Sequence, residues 1–498
     1  MKNTGRILHG LTPTARRILF ESSSNTDVVA ELDHITEVDR AHLVMLAECG
    51  IIDRSHACPL LRAIDELRQT DFAPLHGRSA MRGLFILYED YLIEKLGVRT
   101  GGILQTARSR NDLNATVLRL RLRRPYLNLI NEALRLEVVL LRRAARYSNV
   151  VMPAYTHYQA ALPITYGHYL AGIALALSRD IEGLFDARRD LTRCPLGAGA
   201  AAGTALPINT SRTALLLGFD QTPQNSIDAV ASRDLVLRIL ANAAILGITL
   251  SRIATDFLNW TTSEFGFLYL PDHLVGSSSL MPQKRNPFLL EHIYARGTSA
   301  IGAFVAASAS MHGAPFTNSI AVGTEAVGNV WKALQSVRET ITLTRLVVAG
   351  AQPQQETMLK RASDGYTSAT ELANRLMIEG GVSFRSAHHK IGELVKHAIE
   401  AGGEPLQTAS RLLIDDETII SVEGLDPVSV AMAANQGGGP GLKAQKECLD
   451  GLRATWLAQK AQSLKLNNQW RTAPAILNRA VQQVCEPIAA QESYTDGR

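Results

Sequence analysis

The sequence predicts a mainly α-helical fold with a bundle of long helices at its centre. Between Val117 and Val348, apolar residues recur at the three- to four-residue spacing of a buried helix face over four long stretches. The alternation of apolar and polar residues that marks half-buried strands is too sparse for a sheet-based core. Long amphipathic helices bury their apolar faces against one another, so the pattern favours a helical bundle.

Three domains are expected from the changes in this pattern along the chain. Residues 1–107 carry short apolar-periodic stretches typical of short packed helices, with Gly50 as a break. The long helices follow in residues 108–352, with an interruption expected near Pro125. Shorter helical stretches return in residues 353–498, which are expected to form a small C-terminal helical domain.

Composition and charge argue against several classes of protein. The 498 residues are 46% apolar, enough for a large core, and 51 basic against 47 acidic residues give a net charge of only +4. That balance predicts neither nucleic-acid nor membrane binding. Five cysteines, odd in number and without metal-ligand spacing, suit a reducing compartment and predict no metal site. With no apolar leader at the N-terminus, a cytoplasmic protein is expected.

The most informative segment is GSSSLMPQKRNP, residues 276–287, which lies between two helical stretches. Pro287 suits the first turn of the next helix, so the serines, Lys284 and Asn286 should cluster near a helix N-terminus, a position that favours anions. The alternative is a flexible serine- and glycine-rich linker with an incidental lysine.

The twelve-residue string resembles the signature of the superfamily that contains fumarase, aspartase, adenylosuccinate lyase and argininosuccinate lyase. In that alignment the signature's two serines fall on Ser278 and Ser279, and Ser277 stands where the family has glycine. The resemblance implies that Ser278 is the catalytic base, that Ser279 and Asn286 bind the succinyl group, and that Lys284 stabilises a carbanion-like intermediate.

Physical chemistry supports these roles. Elimination removes a proton beside a carboxylate, so negative charge accumulates on a group that is already anionic and needs preorganised cations and donors around it. A serine hydroxyl is a poor base unless its alkoxide is stabilised in a pocket that excludes water. Closure of the loop over the substrate would create such a pocket.

A second motif, THYQAALP, precedes a long helical stretch. A lone histidine there would more often be structural. The motif resembles the family's second signature region, which implies that Thr156 and Gln159 contact the substrate and that His157 takes part in proton transfer. Glu291, seven residues beyond Lys284, would by the same resemblance polarise the active-site histidine, whereas an isolated helix glutamate is a surface residue.

The stretch TARSRND resembles the family's HTGRSRND region, which binds substrate carboxylates and backbone groups. Ser109, Arg110 and Asn111 match it, whereas Gln105 replaces the family histidine and Ala107 the family glycine. Without the resemblance, this stretch is a polar turn in which Ser109 or Asn111 caps a helix.

Further blocks resemble the argininosuccinate branch in particular. Ser23 and Asp27 match positions that hold the arginine portion of the substrate, although a helix-capping cluster is an equal alternative. Arg233, in NSIDAVASRD, matches a substrate-side arginine, and PLGAGAAAGTALPI and the C-terminal LDPVSVAMAANQGGGPG also match. The resemblance therefore covers nearly the whole chain.

Membership in this branch implies a three-domain fumarase/aspartase-like fold and a homotetramer whose active sites are shared between subunits. It also implies a cofactor-free carbon–nitrogen lyase that releases fumarate from a small succinyl-amine, as in arginine biosynthesis.

One segment departs from the branch. Where argininosuccinate lyases carry a pattern close to LPxAYNKDLQEDKE, this chain has APFTNSIAVGTEA, so Asn318, Gly323 and Ala326 replace a tyrosine, a glutamine and a lysine that bind substrate. A carboxylate that loses its lysine is left unpaired, at a cost of roughly a few kcal/mol when it is desolvated. We therefore expect the elimination machinery to be kept and the leaving amine to differ from arginine.

Alternative functions stay open at this point. The enzyme could run in reverse and add an amine to fumarate in a specialised pathway. It could also be a retired structural or regulatory protein, as the crystallins of this family are, although the retained serine and lysine loop argues against this. Adenylosuccinate lyase and aspartase share the loop but not the argininosuccinate blocks, and are weaker candidates.

Overall fold

The computed structural model describes residues 11–20, 25–78, 83–410 and 421–486. They confirm the mainly α-helical fold. The α-helices are α1 Pro13–Phe20, α2 Asn25–Glu48, α3 Arg54–Gln69, α4 Leu84–Leu96, α5 Val98–Gly101, α6 Arg110–Arg146, α7 Tyr166–Asp186, α8 Arg188–Leu191, α9 Thr210–Leu216, α10 Ser226–Ala231, α11 Asp234–Trp260, α12 Phe288–Arg296, α13 Ser299–Met311, α14 Ala326–Gly328, α15 Val330–Gly350, α16 Gln355–Asp364, α17 Ala369–Glu379, α18 Phe384–Glu400, α19 Leu406–Ala409, α20 Pro427–Ala433 and α21 Leu442–Cys485.

Short strands form three antiparallel pairs. The longest is the hairpin of β1 and β2, and the two-residue strands β3, β4, β5 and β6 form the pairs β3 with β6 and β4 with β5. Their bounds are β1 Val151–Thr156, β2 Gln159–Thr165, β3 Leu268–Tyr269, β4 Gly276–Ser277, β5 Arg285–Asn286 and β6 Gln352–Pro353.

The core is a bundle of α6, α7, α11, α15 and α21, together with the consecutive helices α12 and α13. Arg121, near the start of α6, lies over the ring of Trp331 near the start of α15, and Arg143, near the end of α6, donates to the carbonyl of Ala351 after α15. These contacts show that α6 and α15 run parallel. Trp456 of α21 donates to the carbonyl of Leu134 and lies near the middle of α6, while later residues of α21 reach the N-terminal helices.

The prediction that the helix is interrupted near Pro125 is wrong. Helix α6 runs unbroken through Pro125 for 37 residues. Proline removes one backbone donor from the helix, but the neighbouring side chains of Leu122 and Tyr126 are fully buried, so tertiary packing outweighs that loss. The break at Gly50 is confirmed, because α2 ends at Glu48 and Gly50 adopts a φ of +68° in the turn that follows.

Separate apolar clusters accompany the bundle. One is formed by α2, α3, α4 and the end of α21, and a smaller one by α17, α18 and neighbouring turns. Helix α21 contributes Leu466 and Trp470 to the bundle core and Leu477 and Val481 to the N-terminal cluster, so it ties the two together. The three-domain division at residues 107 and 352 stays a proposal.

Within the described ranges, one helix, α11, is long and apolar enough to cross a membrane. Half of its most apolar window is buried, and it packs against α7, α12, α13 and α15. This is the position of a core helix in a bundle.

A buried acidic side chain lies in the middle of the bundle. Glu137 of α6 is 0% exposed and lies beside Ser178 of α7, whose carbonyl accepts a hydrogen bond from Gln459 of α21. Burial raises the pKa of Glu137 to about 7, an effect that Ser178 reduces. Because the pKa in the unfolded chain is near 4.5, ionisation of this group opposes folding.

We therefore expect Glu137→Gln to stabilise the protein at alkaline pH. The folded-state pKa is raised, so the stability of the parent protein is highest below the unfolded pKa of 4.5 and falls as pH rises through about 7. In urea unfolding the variant should gain on the order of 1 to 3 kcal/mol above that range and little below it. The exposed Glu447 of α21 supplies a control, Glu447→Gln. An equal gain in the free energy of unfolding at a pH below 4.5 and at a pH above 7 would contradict the prediction.

Candidate active site

The amino end of α6 carries the SRND motif as a capped helix start. Ser109 is the N-cap: its Oγ accepts from the Asn111 N–H at 3.3 Å, and its own N–H donates to Asp112 at 3.0 Å. Of the two capping residues considered from the sequence, Ser109 is the one used. The capping box satisfies the Asn111 and Leu113 N–H groups within the turn, so it fixes the start of α6 and the positions of Arg110 and Asn111.

Asp112 joins this turn to a second motif block. Its Oδ1 accepts from the N–H groups of Ser109 and Leu113, both at 3.0 Å. Its Oδ2 accepts from Gly197 at 3.0 Å and Gly199 at 2.9 Å, in the PLGAGA loop. Burial raises the pKa of Asp112, and the backbone donors oppose that shift. Both glycines have positive φ, +101° and +59°, which lets their N–H groups converge on one carboxylate.

A buried charge network lies directly beneath the turn. The Arg108 guanidinium pairs with Asp39, and both side chains are fully buried. His42 Nε2 donates to the Thr106 carbonyl at 2.7 Å, and burial, with Arg108 adding to it, lowers the pKa of His42 to about 3. Ala107, which lies between Thr106 and Arg108 in the sequence, adopts a left-handed φ of +62° at the position where the family has glycine. An alanine in that conformation costs roughly 1 kcal/mol relative to glycine.

The NSIDAVASRD block packs against the same region. Asn225 caps α10, and the Ser226 hydroxyl donates to the Ala201 carbonyl at 2.9 Å, which connects this block to the PLGAGA loop. Arg233 is only 2% exposed and donates to the carbonyls of Val230 and Ser232. Burial lowers its pKa to about 10. Its substrate contact stays a prediction, and in this chain Arg233 holds the turn before α11.

The segment that departs from the family pattern reaches the SRND turn. Asn318 Nδ2 donates to Asn111 Oδ1 at 2.8 Å, between residues 207 apart in the sequence. Gly323 lies next to Asn318, because a Cβ added at Gly323 would lie 3.4 Å from Asn318 Oδ1. Ala326 is fully buried in the bundle core.

The second motif forms a β-hairpin, which the sequence interpretation missed. Thr156 and Gln159 pair across a two-residue turn made by His157 and Tyr158, whose φ values of +51° and +61° are those of a type I′ turn. Thr156, His157, Tyr158 and Gln159 are all exposed, and Tyr158 is 93% exposed. Prolines in both strands, Pro153 and its partner Pro163, hide the strands from a propensity-based interpretation.

The base of this hairpin is fixed by aromatic packing. The Tyr155 ring lies 5.7 Å from Phe265 and 6.3 Å from Phe267. Left-handed conformations cost a histidine or tyrosine on the order of 1 kcal/mol each, so the turn persists because the paired strands determine it. The hairpin therefore presents Thr156, His157 and Gln159 on an ordered tip.

The signature segment 276–287 is a loop between the paired strands β4 and β5. Ser278 Oγ accepts from the N–H groups of Leu280 at 3.3 Å and Met281 at 3.0 Å. Asn286 Nδ2 donates to the Ser277 carbonyl at 3.4 Å, across the base of the loop. The two N–H donors that now hold the hydroxyl would also stabilise an alkoxide at Ser278.

Arg285 clamps the base of the loop and was not singled out from the sequence. It donates to Asp272 Oδ1 at 2.6 Å and to the Leu270 carbonyl at 2.7 Å, and it stacks over the Tyr269 ring at 5.0 Å. The hydrogen bond to Asp272 raises its pKa. Above this base Ser279 and Lys284 are exposed, and Leu280 is 84% exposed.

Three candidate residues remain: Glu291, Ser23 and Asp27. Glu291 lies on the exposed face of α12, the helix that Pro287 directly precedes. Ser23 and the side chain of Asp27 lie outside the described residues. Across the described ranges, no group of three His, Cys, Asp or Glu side chains is arranged to hold a metal ion.

The candidates fall into two groups at opposite ends of the bundle. Ser109, Arg110 and Asn111 lie at the start of α6, whereas the hairpin follows its end. The signature loop is also at that far end, since its base includes Leu270, close to the Phe267 that packs on the hairpin. At 1.5 Å per residue, the 37 residues of α6 span roughly 55 Å. One small substrate therefore cannot touch both groups within a single chain.

Sequence reasoning could have found Asp112 but not Arg285. The spacing S-x-x-D of Ser109 and Asp112 is a capping-box signal. The clamp by Arg285 depends on a carboxylate thirteen residues earlier in an irregular segment, and no local pattern marks it.

Family models match two parts of the chain. The model described as lyase matches residues 78–302, and the model described as argininosuccinate lyase C-terminal matches residues 366–421. Curated relatives include the argininosuccinate lyase of Methanothrix thermoacetophila, 35% identical over 86% of this chain and 89% of the relative. That of Methanosarcina mazei is 33% identical over 87% of each.

Solved structures show the same fold. EDDS lyase in complex with formate superimposes with a TM-score of 0.84 at 28% identity, covering 96% of both chains. An EDDS lyase variant with bound fumarate gives 0.83 at 27% identity, over 95% of this chain and 99% of that one. Class II fumarase from Schistosoma mansoni gives 0.66 at 16% identity, over 82% and 91%, a likeness of fold alone.

Replacing the carboxylate at the centre of the SRND turn should destabilise the protein. Asp112→Ala removes the acceptor of four backbone donors at a mostly buried site, so we expect a loss of about 2 to 4 kcal/mol in the free energy of unfolding. Denaturant titration measures it. The control is Asp53→Ala, because Asp53 precedes α3 without a side-chain capping bond. Equal losses for the two variants would contradict the role assigned to Asp112.

Proposed function

The chain belongs to the argininosuccinate lyase family, and with that premise we propose which residues carry its reaction. Its relatives and its fold make it a carbon–nitrogen lyase that releases fumarate. The observation that carries the assignment is the turn at Ser278, whose hydroxyl oxygen accepts two backbone N–H groups six residues before Lys284. The substrate is an N-succinyl amine.

In the proposed reaction Ser278, as the alkoxide, removes a proton from the succinyl carbon adjacent to the distal carboxylate. The electron pair moves onto that carboxylate and gives an enolate-like dianion, which Lys284 and the backbone donors of the loop stabilise. The pair then returns to form the double bond as the carbon–nitrogen bond breaks. Fumarate and the amine leave, the amine nitrogen takes up a proton, and no oxidant or reductant is consumed.

Further groups are proposed to hold the substrate and to move the proton. Asn286 and Ser279 bind the succinyl carboxylate within the loop, and Ser109, Arg110 and Asn111 bind it from the start of α6. Thr156 and Gln159 position it from the hairpin tip, where His157 takes part in proton transfer. Glu291 and Arg233 have supporting roles, Glu291 by polarising the active-site histidine. Ser23 and Asp27 would contact the amine portion.

We propose that the active site is completed between subunits of a homotetramer. The support is the length of α6: about 55 Å separates the SRND turn from the hairpin and the signature loop, too far for one substrate. Exposed apolar side chains on the bundle helices, including Leu175 of α7 and Ile245 and Ile248 of α11, suit contacts between bundles. A cytoplasmic location is proposed from the relatives' metabolic role.

The leaving amine is proposed to differ from arginine. At the three departing positions, Asn318 donates to Asn111, Gly323 lies next to Asn318, and Ala326 is buried in the core. None of the three side chains can neutralise a carboxylate. The elimination machinery at Ser278 and Lys284 is kept, so the chemistry is retained while the amine pocket differs.

Removing the proposed base should abolish turnover. In Ser278→Ala we expect kcat to fall by about 10²- to 10³-fold or more, because no group replaces the alkoxide. The growth of fumarate's ultraviolet absorbance from a succinyl-amine measures it. Ser277→Ala is the matched control, since Ser277 holds the base of the loop through its backbone, which pairs with Arg285 and accepts from Asn286. Unchanged turnover in Ser278→Ala would remove the proposed mechanism, and absence of fumarate from every succinyl-amine would leave the structural-protein alternative.

Mixing two inactive variants tests the shared site. Arg110→Ala at the start of α6 and Ser278→Ala in the signature loop each inactivate one contribution, so hybrid tetramers formed by denaturing and refolding them together should contain some intact sites and recover activity. Each variant refolded alone is the control, and light scattering should give four times the chain mass. No recovery from hybrids of the correct mass would place both residues in the same subunit's site.

A further inference from the structure

The segment between α13 and α15 forms one wall beside the SRND turn. Its anchor is the 2.8 Å hydrogen bond from Asn318 Nδ2 to Asn111 Oδ1. Asn318 and Asn111 are both uncharged, so this bond brings an amide, and no ion, to the residue proposed to bind substrate. The bond also leaves the amide NH2 of Asn111 free to face the substrate.

The wall has open space beside the amide. Residues Ala321–Glu325 form a π-helical turn, an irregularity often found at functional sites. It brings Gly323 against Asn318, with 3.4 Å between the place of a Cβ and Asn318 Oδ1. Any larger side chain at Gly323 would fill this space.

Most of the wall is uncharged and displays apolar side chains. Between Ala314 and Thr324 the sequence contains no ionisable residue, and the one charged residue of the π-helical turn is Glu325, which is exposed. Phe316 and Ile320 stand two residues before and after Asn318 and are 80% and 71% exposed. Two residues of chain reach at most about 7 Å, so the Cα atoms of both residues lie near Asn318, within reach of a ligand that contacts its amide.

These properties of the wall favour one kind of leaving amine over another. A carboxylate brought against residues 314–325 would lose water, meet no cation among them and be repelled by Glu325, while Arg110 is assigned to the succinyl carboxylate. An apolar substituent would instead cover Phe316 and Ile320 and gain from their burial. Building on the proposed lyase function, we propose that the leaving amine carries an apolar substituent and no carboxylate, and that Phe316 and Asn318 determine this specificity.

The reverse reaction tests the proposal with matched amines. Wild-type enzyme is incubated with fumarate and either arginine or its carboxylate-free partner agmatine, and likewise with phenylalanine or 2-phenylethylamine. We expect the carboxylate-free member of each pair to have a kcat/KM at least about tenfold higher, and 2-phenylethylamine to exceed agmatine. Consumption of fumarate and the mass of the adduct are measured.

The outcomes separate the proposal from the function on which it rests. Equal or better use of arginine or phenylalanine would overturn the proposed specificity and leave the lyase function standing. No adduct with any amine, together with no fumarate from any succinyl-amine in the forward direction, would overturn both.

A first variant tests the apolar part of the wall. Phe316→Ser should raise KM for 2-phenylethylamine by about tenfold while changing that for agmatine less than about twofold. Ile378→Ser is the control, because Ile378 is similarly exposed, at 73%, on α17. An equal effect on both amines, or a loss of oligomer mass in light scattering, would show that Phe316 does not contact the amine and would overturn the proposal.

A second variant tests the amide. Asn318→Asp replaces the donor to Asn111 by an anion, so the ratio of kcat/KM for agmatine to that for 2-phenylethylamine should rise by about tenfold, since the new carboxylate attracts a guanidinium. Asn329→Asp makes the same change at an exposed residue before α15 and should leave the ratio unchanged. The same ratio in both variants would overturn the assignment of Asn318.

Discussion

The site region at the start of α6 depends on one buried carboxylate. Asp112 accepts from two N–H groups of its own turn and from two in the PLGAGA loop, so it fixes the start of the bundle's longest early helix and a distant loop together. A side chain without acceptor oxygens would leave those four donors unpaired in a buried place. The SRND turn is thus held by backbone hydrogen bonds, while Ser109, Arg110 and Asn111 keep their side chains near the surface.

The length of α6 governs how a complete site can be formed. A helix of 37 residues holds its two ends apart rigidly, and the candidate groups sit beyond those ends. At the far end, candidate site residues lie on two separate structures: a left-handed turn on a packed hairpin, and a loop clamped at its base by Arg285. Both leave the tip exposed and the base ordered, which suits surfaces that are completed by a neighbouring subunit.

The chain keeps the main residues of the signature loop, whereas the wall beside the SRND turn differs from the family pattern. The signature loop keeps its serine, lysine and asparagine, and Ser278 keeps two backbone donors. The segment that reaches Asn111 has instead become neutral and small at Asn318 and Gly323. Elimination needs the same anion stabilisation whatever the amine, whereas the amine pocket has to match only its own ligand. The departures at Asn318, Gly323 and Ala326 lie outside the signature loop.

The sequence by itself determined the helical class, the long central helices, the break at Gly50 and the motif strings, because helix faces and capping residues are local patterns. It did not reveal the hairpin, hidden by Pro153 and Pro163, or the unbroken α6 at Pro125. Only the tertiary structure decided that Asp112 binds Gly197 and Gly199 and that Asn318 binds Asn111. Those bonds join residues 85 to 207 positions apart, and only the packed fold brings such residues together.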